Sequence, residues 1–310
     1  MNAHLRSSFE TPAKLLIDPL ASRWLQNAAL HLGTSMADAQ EFGFTGLLRL
    51  PGLSIQLQLW RETPQPQWLA LGVLYRPNDV SPLLWNELIL RGNCAITAVS
   101  GGTGAIDERG DGLLVNRLGI QSYSDNTQLG ESLGVLIALA ESLIAGATSL
   151  SNMPAQLGTV AQQPFIPVTP ASSIATMVHS WHRTLLVGAL QHLGNITSPT
   201  SIDTVGVVRI GNQSLEVIAD SDERHLLVST SIKRPLHSGH QRTLALRANL
   251  ELMTLTGCSV ALAPFGPCLQ GRWDSEGLDG IALGDWLGDF AQLAAAIGVP
   301  SAPPAPGCSR

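Results

Sequence analysis

The sequence Leu283-Gly284-Asp285-Trp286-Leu287-Gly288 near the end of the chain has a counterpart in Leu129-Gly130-Glu131-Ser132-Leu133-Gly134, 154 residues earlier. Other short segments recur in the same order at similar spacings. The clearest are Leu48-Arg49-Leu50 with Val208-Arg209-Ile210, at a spacing of 160, and His31-Leu32-Gly33 with His192-Leu193-Gly194, at 161. An ordered recurrence of this kind predicts that the chain contains one fold twice.

A further match extends the repeat through the middle of each half. Glu87-Leu88 and Cys94 align with Glu251-Leu252 and Cys258 at a spacing of 164. Because the spacing then falls to 154, this alignment predicts about ten extra residues in the first half, in the glycine-rich stretch 101–112.

Length and composition favour two soluble globular domains. The 310 residues suffice for two domains of about 150 residues each. Hydrophobic residues make up 45% of the chain and charged residues only 14%, with a net charge of −6. Since basic residues do not cluster, nucleic acid is excluded as an expected partner. The N-terminus lacks a signal-peptide pattern and no run of 18 apolar residues occurs, so we expect a cytoplasmic protein without membrane insertion.

Periodicity predicts the same order of elements, α-β-β-β-α-β-β-α, in each half. In the first half, residues 53–60 alternate strictly between apolar and polar side chains, which is typical of a strand. The other predicted elements there are a helix at about 11–32, strands at 46–50 and 67–75, a short helix at 81–91, strands at 93–99 and 113–119, and a helix at 128–146. The predicted fold class is α+β, with an antiparallel sheet and flanking helices in each half.

The predicted domain boundaries follow from these elements. The first domain spans 1–148, a proline-rich linker spans 149–171, the second domain spans 172–298, and a disordered tail spans 299–310. Cys94 and Cys258 fall at equivalent strand positions in this alignment, and we interpret them as small buried thiols in preference to a disulfide.

No arrangement of residues indicates catalysis. Asp107 to Gly112 resembles a calcium loop but places Arg109 at a ligand position, so a hairpin turn is the better interpretation. Gly101 to Gly104 lacks the lysine and hydroxyl residue of a phosphate loop. His179 and His182 share a helix face without further ligands nearby in sequence. We therefore expect no enzymatic activity, no cofactor and no metal.

Trp60 departs from the alternation of its strand. It lies in phase with Ser54, Gln56 and Gln58, on the face opposite Leu53, Ile55, Leu57 and Leu59. A tryptophan on a polar strand face favours a contact with a partner, although a loop or the other half of the chain could also cover it.

The element order in each half resembles that of the type III secretion chaperones of the Tir-chaperone (CesT-like) family. The pattern of Leu246-Arg247-Ala248-Asn249-Leu250, then a strand, a hairpin and a leucine-rich last helix, is similar to the end of those proteins over residues 244–298. Residues 84–146 resemble a diverged version. Since family members are usually homodimers, two tandem copies in one chain imply an intramolecular pseudo-dimer.

The resemblance implies a binding protein that holds the extended N-terminal segment of a secreted effector for export. The effector is then the main partner, and the export ATPase is a further one. The open alternative is a regulatory or structural component of a secretion system on the same fold. The neighbouring gene would discriminate between them, because an adjacent effector favours the chaperone.

Two groups of residues are predicted to form contacts. The partner-binding residues are Trp24, Leu25, Trp60 and Trp68, on the first helix and the sheet. The inter-domain contact is predicted at Trp85, Leu88 and Leu252, because the family's subunits meet through the second helix and the following strand. If Trp60 anchors a partner, Trp60→Ala weakens binding at least about tenfold with little loss of stability; if it is a core residue, the same change costs about 3–5 kcal/mol.

Overall fold

The computed structural model of the protein describes residues 18–61, 67–118, 126–151, 180–194, 206–219, 224–275 and 278–298. Within these ranges the two halves of the chain have the same order of elements, except that the first half has one more described helix before its strands. Several predictions fall outside the described residues. They are the starts of the two predicted helices at residues 11 and 172, the predicted tail and most of the predicted linker.

The described residues of the first half form four helices and five strands. They are α1 (Pro19–His31), α2 (Met36–Thr45), β1 (Leu47–Leu50), β2 (Leu53–Arg61), β3 (Gln67–Leu74), α3 (Pro82–Ser100), β4 (Thr103–Ile106), β5 (Gly112–Leu118) and α4 (Asn126–Ser151). The second half contains α5 (Ser180–His192), β6 (Val207–Ile210), β7 (Gln213–Ala219), β8 (His225–Ser231), α6 (Gly239–Thr256), β9 (Cys258–Ala263), β10 (Gly266–Asp274) and α7 (Gly280–Gly298).

Each half builds a five-stranded antiparallel sheet of the same topology. The strand order is β1-β2-β3-β5-β4 in the first sheet and β6-β7-β8-β10-β9 in the second. The last two strands of each sheet form a hairpin that is inserted in reverse order beside β3 or β8, so that β4 and β9 are edge strands. The structure confirms the predicted α+β fold class, with two tandem sheets flanked by helices.

The prediction was wrong in the middle of the first half. Residues 93–99, expected to form a strand, lie inside α3, which continues to Ser100, and the following strand is the short β4. Ile96, Thr97 and Val99 favour a strand by their branching, but here a helical segment supplies the side chains that pack on a sheet. Helix α2, which Ser35 caps by accepting a hydrogen bond from the Asp38 N–H, was not predicted.

This correction also changes the internal alignment. Cys94 lies on a helix and Cys258 begins β9, so the two cysteines are not equivalent. Helix α3 corresponds to α6 at a spacing of about 156 residues, and the hairpins β4–β5 and β9–β10 correspond at spacings of 155 to 156. The expected insertion in 101–112 is therefore absent, because these residues form the counterpart of the second hairpin.

The contacts divide the chain into two compact units that are not continuous in sequence. The first unit consists of Met1–Ile89, Val99–Asn152 and Leu246–Thr256, and the second of Leu90–Ala98, Met153–Ala245 and Gly257–Arg310. Each unit thus contains a helical segment from the opposite half of the chain. The predicted boundaries at 148, 171 and 298 stay predictions, although α4 continues to Ser151, inside the predicted linker.

Two of the repeated sequence segments meet in space in each unit. In the first unit, a Cβ added to Gly130 would lie 2.6 Å from His31 Cδ2, so the end of α1 packs directly on α4. In the second unit, a Cβ on Gly284 would lie 3.0 Å from both His192 Cδ2 and the backbone oxygen of Ala189. His192 Nε2 also lies 2.8 Å from Asp285 Oδ1. The same helix contact therefore supports the repeat that the sequence predicted.

Helix α4 is long and apolar enough to span a membrane by length and composition alone, since an 18-residue window within residues 127–151 has a mean hydropathy of 1.8. Its buried side chains recur on one stripe: Leu129, Leu133, Leu136, Ala140, Leu143 and Ala147. Leu136 packs on the first sheet, where a Cβ on Gly72 would lie 2.9 Å from Leu136 Cδ2. This spacing is typical of a helix that packs one face on a core.

The glycines of the repeated segment provide a test of this helix contact. We expect Gly284→Ala to lower the free energy of unfolding by about 1–3 kcal/mol, because the added methyl group meets backbone atoms that cannot move independently. Urea unfolding measures the change. Gly288→Ala is the matched control, since its Cβ would meet only the end of the Leu193 side chain, at 3.4 Å. Equal stabilities of the two variants would contradict the close contact.

Candidate functional site

One edge of the first sheet is formed by β4, and we name it the inner edge. A buried side chain is hydrogen-bonded to this edge. Asn249, on α6, donates from Nδ2 to the backbone oxygen of Gly104 in edge strand β4 at 3.1 Å. Asn249 is fully buried, and every residue of β4 is buried. An edge strand normally exposes its backbone groups to further pairing. Here the helical segment Leu246–Thr256 covers that edge within the first unit.

The second sheet is closed in the same way. Asn93, on α3, donates from Nδ2 to the backbone oxygen of Val260 in edge strand β9 at 3.0 Å. Asn249 follows Asn93 by 156 residues, and Val260 follows Gly104 by the same 156. The two bonds are therefore equivalent. In each unit, a buried asparagine is hydrogen-bonded to one edge strand.

The outer edge of the first sheet has a different character. Among the described strands, β1 pairs with β2 alone, and Gly46 O accepts a hydrogen bond from Leu57 N at 2.8 Å. Because hydrogen-bonded and non-bonded pairs alternate in antiparallel strands, Leu48 and Leu50 also bond to β2. The backbone groups of Leu47 and Arg49 consequently point toward the outer edge. Thr45 Oγ1 accepts the Leu47 N–H at 3.1 Å.

The outer edge of the second sheet repeats this geometry. Gly206 O accepts a hydrogen bond from Val217 N at 2.6 Å, and β6 pairs with β7 in the same register. The backbone groups of Val207 and Arg209 therefore point outward. Gly46 and Gly206 both have positive φ angles, 66° and 60°, which glycine adopts readily. We name β1 and β6 the outer edge strands.

Exposed apolar side chains lie close in sequence to the first outer edge strand. On α2, which precedes β1, Phe44 is 72% exposed and Met36 is 58% exposed. Glu41 pairs with Arg49 through a contact of 2.6 Å between Oε1 and Nη1. Both side chains are largely exposed, so this ion pair contributes little to stability. The first outer edge thus combines outward backbone groups with nearby apolar side chains.

Three of the four residues predicted to bind a partner lie in the core of the first unit. Trp24, Leu25 and Trp68 are at most 3% exposed. The rings of Trp24 and Trp68 pack at a centroid distance of 5.7 Å with an angle of 51° between their planes. The predicted contact of these three residues with a partner would require this packing to open.

Trp60 is half-buried. Its ring packs against an apolar cluster of the first unit that contains Leu69, Leu71, Ala105, Leu113, Val115 and Met253. The guanidinium carbon of Arg117 lies 5.4 Å from the centre of the ring. The segment Leu246–Thr256 therefore contacts, through Met253, the sheet face that carries Trp60. The sequence suggested that this face was open. A binding role for Trp60 stays a prediction.

The residues predicted to form the inter-domain contact all belong to the first unit. Trp85 is fully buried and packs against β5, where a Cβ on Gly112 would lie 2.8 Å from its ring. Leu88 packs near Gly146 of α4. Leu252 lies on α6 and is half-buried. A role for these residues between domains stays a prediction.

The loop that resembles a calcium site is a hairpin turn between β4 and β5. Asp107 Oδ1 accepts hydrogen bonds from the backbone N–H groups of Arg109 and Asp111, at 2.8 Å and 2.9 Å. Among the described residues, no group of three or more His, Cys, Asp or Glu side chains could hold a metal ion. The turn interpretation is confirmed.

Cys94 and Cys268 form a thiol pair within the second unit. A side-chain hydrogen bond with Cys268 lowers the pKa of Cys94 to about 7, against the opposing effect of burial. The same bond, together with burial, raises the pKa of Cys268. Cys94, Cys258 and Cys268 form no disulfide bonds.

Residues 23–144 match the family model of the Tir chaperone protein (CesT) family. Over these residues the chain is similar to that family. The match covers the whole of the first sheet and most of α4, and the second half has the same topology. A solved structure that is similar is the ExoT–SpcS complex from Pseudomonas aeruginosa, with 14% identity, 38% of this chain and 98% of that chain covered, and a TM-score of 0.27. A comparison with curated proteins finds no match.

Trp60→Ala tests the half-buried position of the ring. We expect the free energy of unfolding to fall by about 2 kcal/mol, because the variant loses apolar packing and the contact with Arg117. Gln58→Ala, on the same face of the strand, is the matched control and should change stability less. A stability equal to that of the unsubstituted chain would show that the ring does not pack on the apolar cluster.

Proposed function

We propose that this chain is a cytoplasmic type III secretion chaperone that binds the extended N-terminal segment of a secreted effector. The segment adds as a further strand to β1, to β6, or to both. The export ATPase would receive the loaded chaperone, and the chaperone itself carries out no chemical step. The CesT-family match over residues 23–144 supports the chaperone role.

The observation that carries the proposed mode of binding is the difference between the two edges of each sheet. The inner edges are occupied by Asn249 and Asn93, whereas the outer edge strands direct the backbone groups of Arg49 and Arg209 away from the sheet. An extended peptide can pair with such backbone groups whatever its sequence, and side-chain pockets then add specificity. This suits a partner that is held in an extended state.

The outer edge is repeated in the two units. Both outer edge strands have the same alternation of half-buried, buried, exposed and half-buried side chains. Each strand therefore offers the same kind of pairing site to an extended segment.

Arg49→Pro tests strand addition at β1. Proline removes the outward N–H of residue 49 while leaving the bonds of Leu48 and Leu50 to β2 in place, and it is tolerated in edge strands. We expect a loss of affinity of at least about tenfold for the N-terminal segment of a secreted effector from the same organism. Isothermal titration calorimetry measures the affinity, and the thermal midpoint shows that the fold is kept.

The matched control is Arg49→Ala, which removes the side chain but keeps the N–H and should bind more tightly than Arg49→Pro. The pair Arg209→Pro and Arg209→Ala applies the same comparison to β6. Equal affinities of the proline and alanine variants at both positions would rule out strand addition. Failure of the unsubstituted chain to bind the segment would instead contradict the chaperone role.

A further inference from the structure

A buried polar network lies beside the closed edge of the second sheet. Gln270 Nε2 lies 2.5 Å from the backbone oxygen of Asn93, 2.8 Å from Thr97 Oγ1 and 3.3 Å from Ser259 Oγ. The two hydroxyl oxygens of Thr97 and Ser259 are 2.9 Å apart. All four residues are buried. The helical segment Leu90–Ala98 is thus attached to the second sheet by polar side chains.

The helix position that corresponds to Thr97 in the first unit is apolar. Met253 follows Thr97 by 156 residues, the same spacing that relates Asn93 to Asn249. Thr97 and Met253 each lie one helical turn after the edge-closing asparagine. Met253 is fully buried in the apolar cluster on the first sheet.

The strand position that faces this helix position is also polar in the second unit and apolar in the first. Gln270 pairs with Ser259 across the second hairpin, and Val115 pairs with Thr103 across the first. Because Ser259 follows Thr103 by 156 residues, Gln270 occupies the place of Val115. Val115 belongs to the cluster that holds Met253. The helix residue and the strand residue that face each other are therefore both polar in the second unit, Thr97 and Gln270. In the first unit both are apolar, Met253 and Val115.

Neither Thr97 nor Met253 would suit the sheet that the other one contacts. A methionine at position 97 would give the amide of Gln270 no strong acceptor in place of the threonine hydroxyl. A threonine at position 253 would place a hydroxyl among leucine, valine and alanine side chains. Burying a polar group without a partner is unfavourable, more so in an apolar surrounding.

We infer that these residues determine which sheet each helical segment completes. Leu90–Ala98 fits the second sheet and Leu246–Thr256 fits the first, and each is mismatched to the sheet of its own half. The asparagine bond, which both segments make, attaches each helical segment to a sheet edge. The residues one turn later, Thr97 and Met253, determine which of the two sheets the segment fits. Opposed polar and apolar contacts of this kind select one pairing by disfavouring the alternative. The two halves thus recognise each other as different partners.

Exchange of the two helix residues tests the inference in the full chain. The variant Thr97→Met with Met253→Thr has the same composition as the natural chain but mismatches both sites. We expect its thermal midpoint to fall by roughly 5–10 °C. Adding Val115→Gln and Gln270→Val restores the match at both sites, so this fourfold variant should regain most of the loss. A fourfold variant no more stable than the twofold variant would overturn the inference.

A milder change keeps the test decisive if the exchange variants do not fold. Thr97→Val keeps the shape of the side chain and removes only the hydroxyl, and Gln270→Val then removes the group left without its acceptor. We expect Thr97→Val alone to lower the midpoint and the double variant to be more stable than the sum of the single changes predicts. Val99→Met, at an exposed position of the same helix, is the control. Strict additivity would contradict coupling between Thr97 and Gln270.

Discussion

The structure depends on one type of bond, made twice: a buried asparagine amide donates to the backbone oxygen of an edge strand. Asn249 makes this bond to Gly104 and Asn93 makes it to Val260. A buried carbonyl oxygen at a sheet edge needs a partner, since leaving it unsatisfied costs about 1–3 kcal/mol. In each unit that partner comes from a helical segment of the opposite half of the chain. The completed sheet is therefore a product of both halves.

This constraint has a functional consequence, because it leaves the two edges of each sheet unlike each other. The inner edge is buried and bonded to an asparagine side chain, whereas the outer edge strand has an exposed arginine at its third residue in both sheets. The CesT-family match covers the first of these sheets. A chaperone that must hold many side-chain sequences in an extended form benefits from contacts to backbone groups, which every segment carries.

The repeated segments and the alternation of residues 53–60 predicted the two sheets, because local periodicity reports directly which side chains face a core. The sequence could not place 93–99, since Ile96, Thr97 and Val99 favour a strand until a long-range partner holds them in a helix. The wrong alignment of Cys94 with Cys258 concealed the pairing of Asn93 with Asn249. Periodicity does not show what covers Trp24, Leu25 and Trp68, so their contact with a partner stays a prediction. Of the features at the outer edge, only the match of Leu48-Arg49-Leu50 with Val208-Arg209-Ile210 was visible.

Amide hydrogen exchange, measured by NMR with and without the effector's N-terminal segment, tests the central claim that the outer edge strands receive the partner. The account predicts that the segment slows the exchange of the outward N–H groups of Arg49, Val207 or Arg209, which belong to β1 and β6. It also predicts little change in β4 and β9, whose edges are already covered within their own units. Protection that appears in β4 or β9, with β1 and β6 unchanged, would contradict the account.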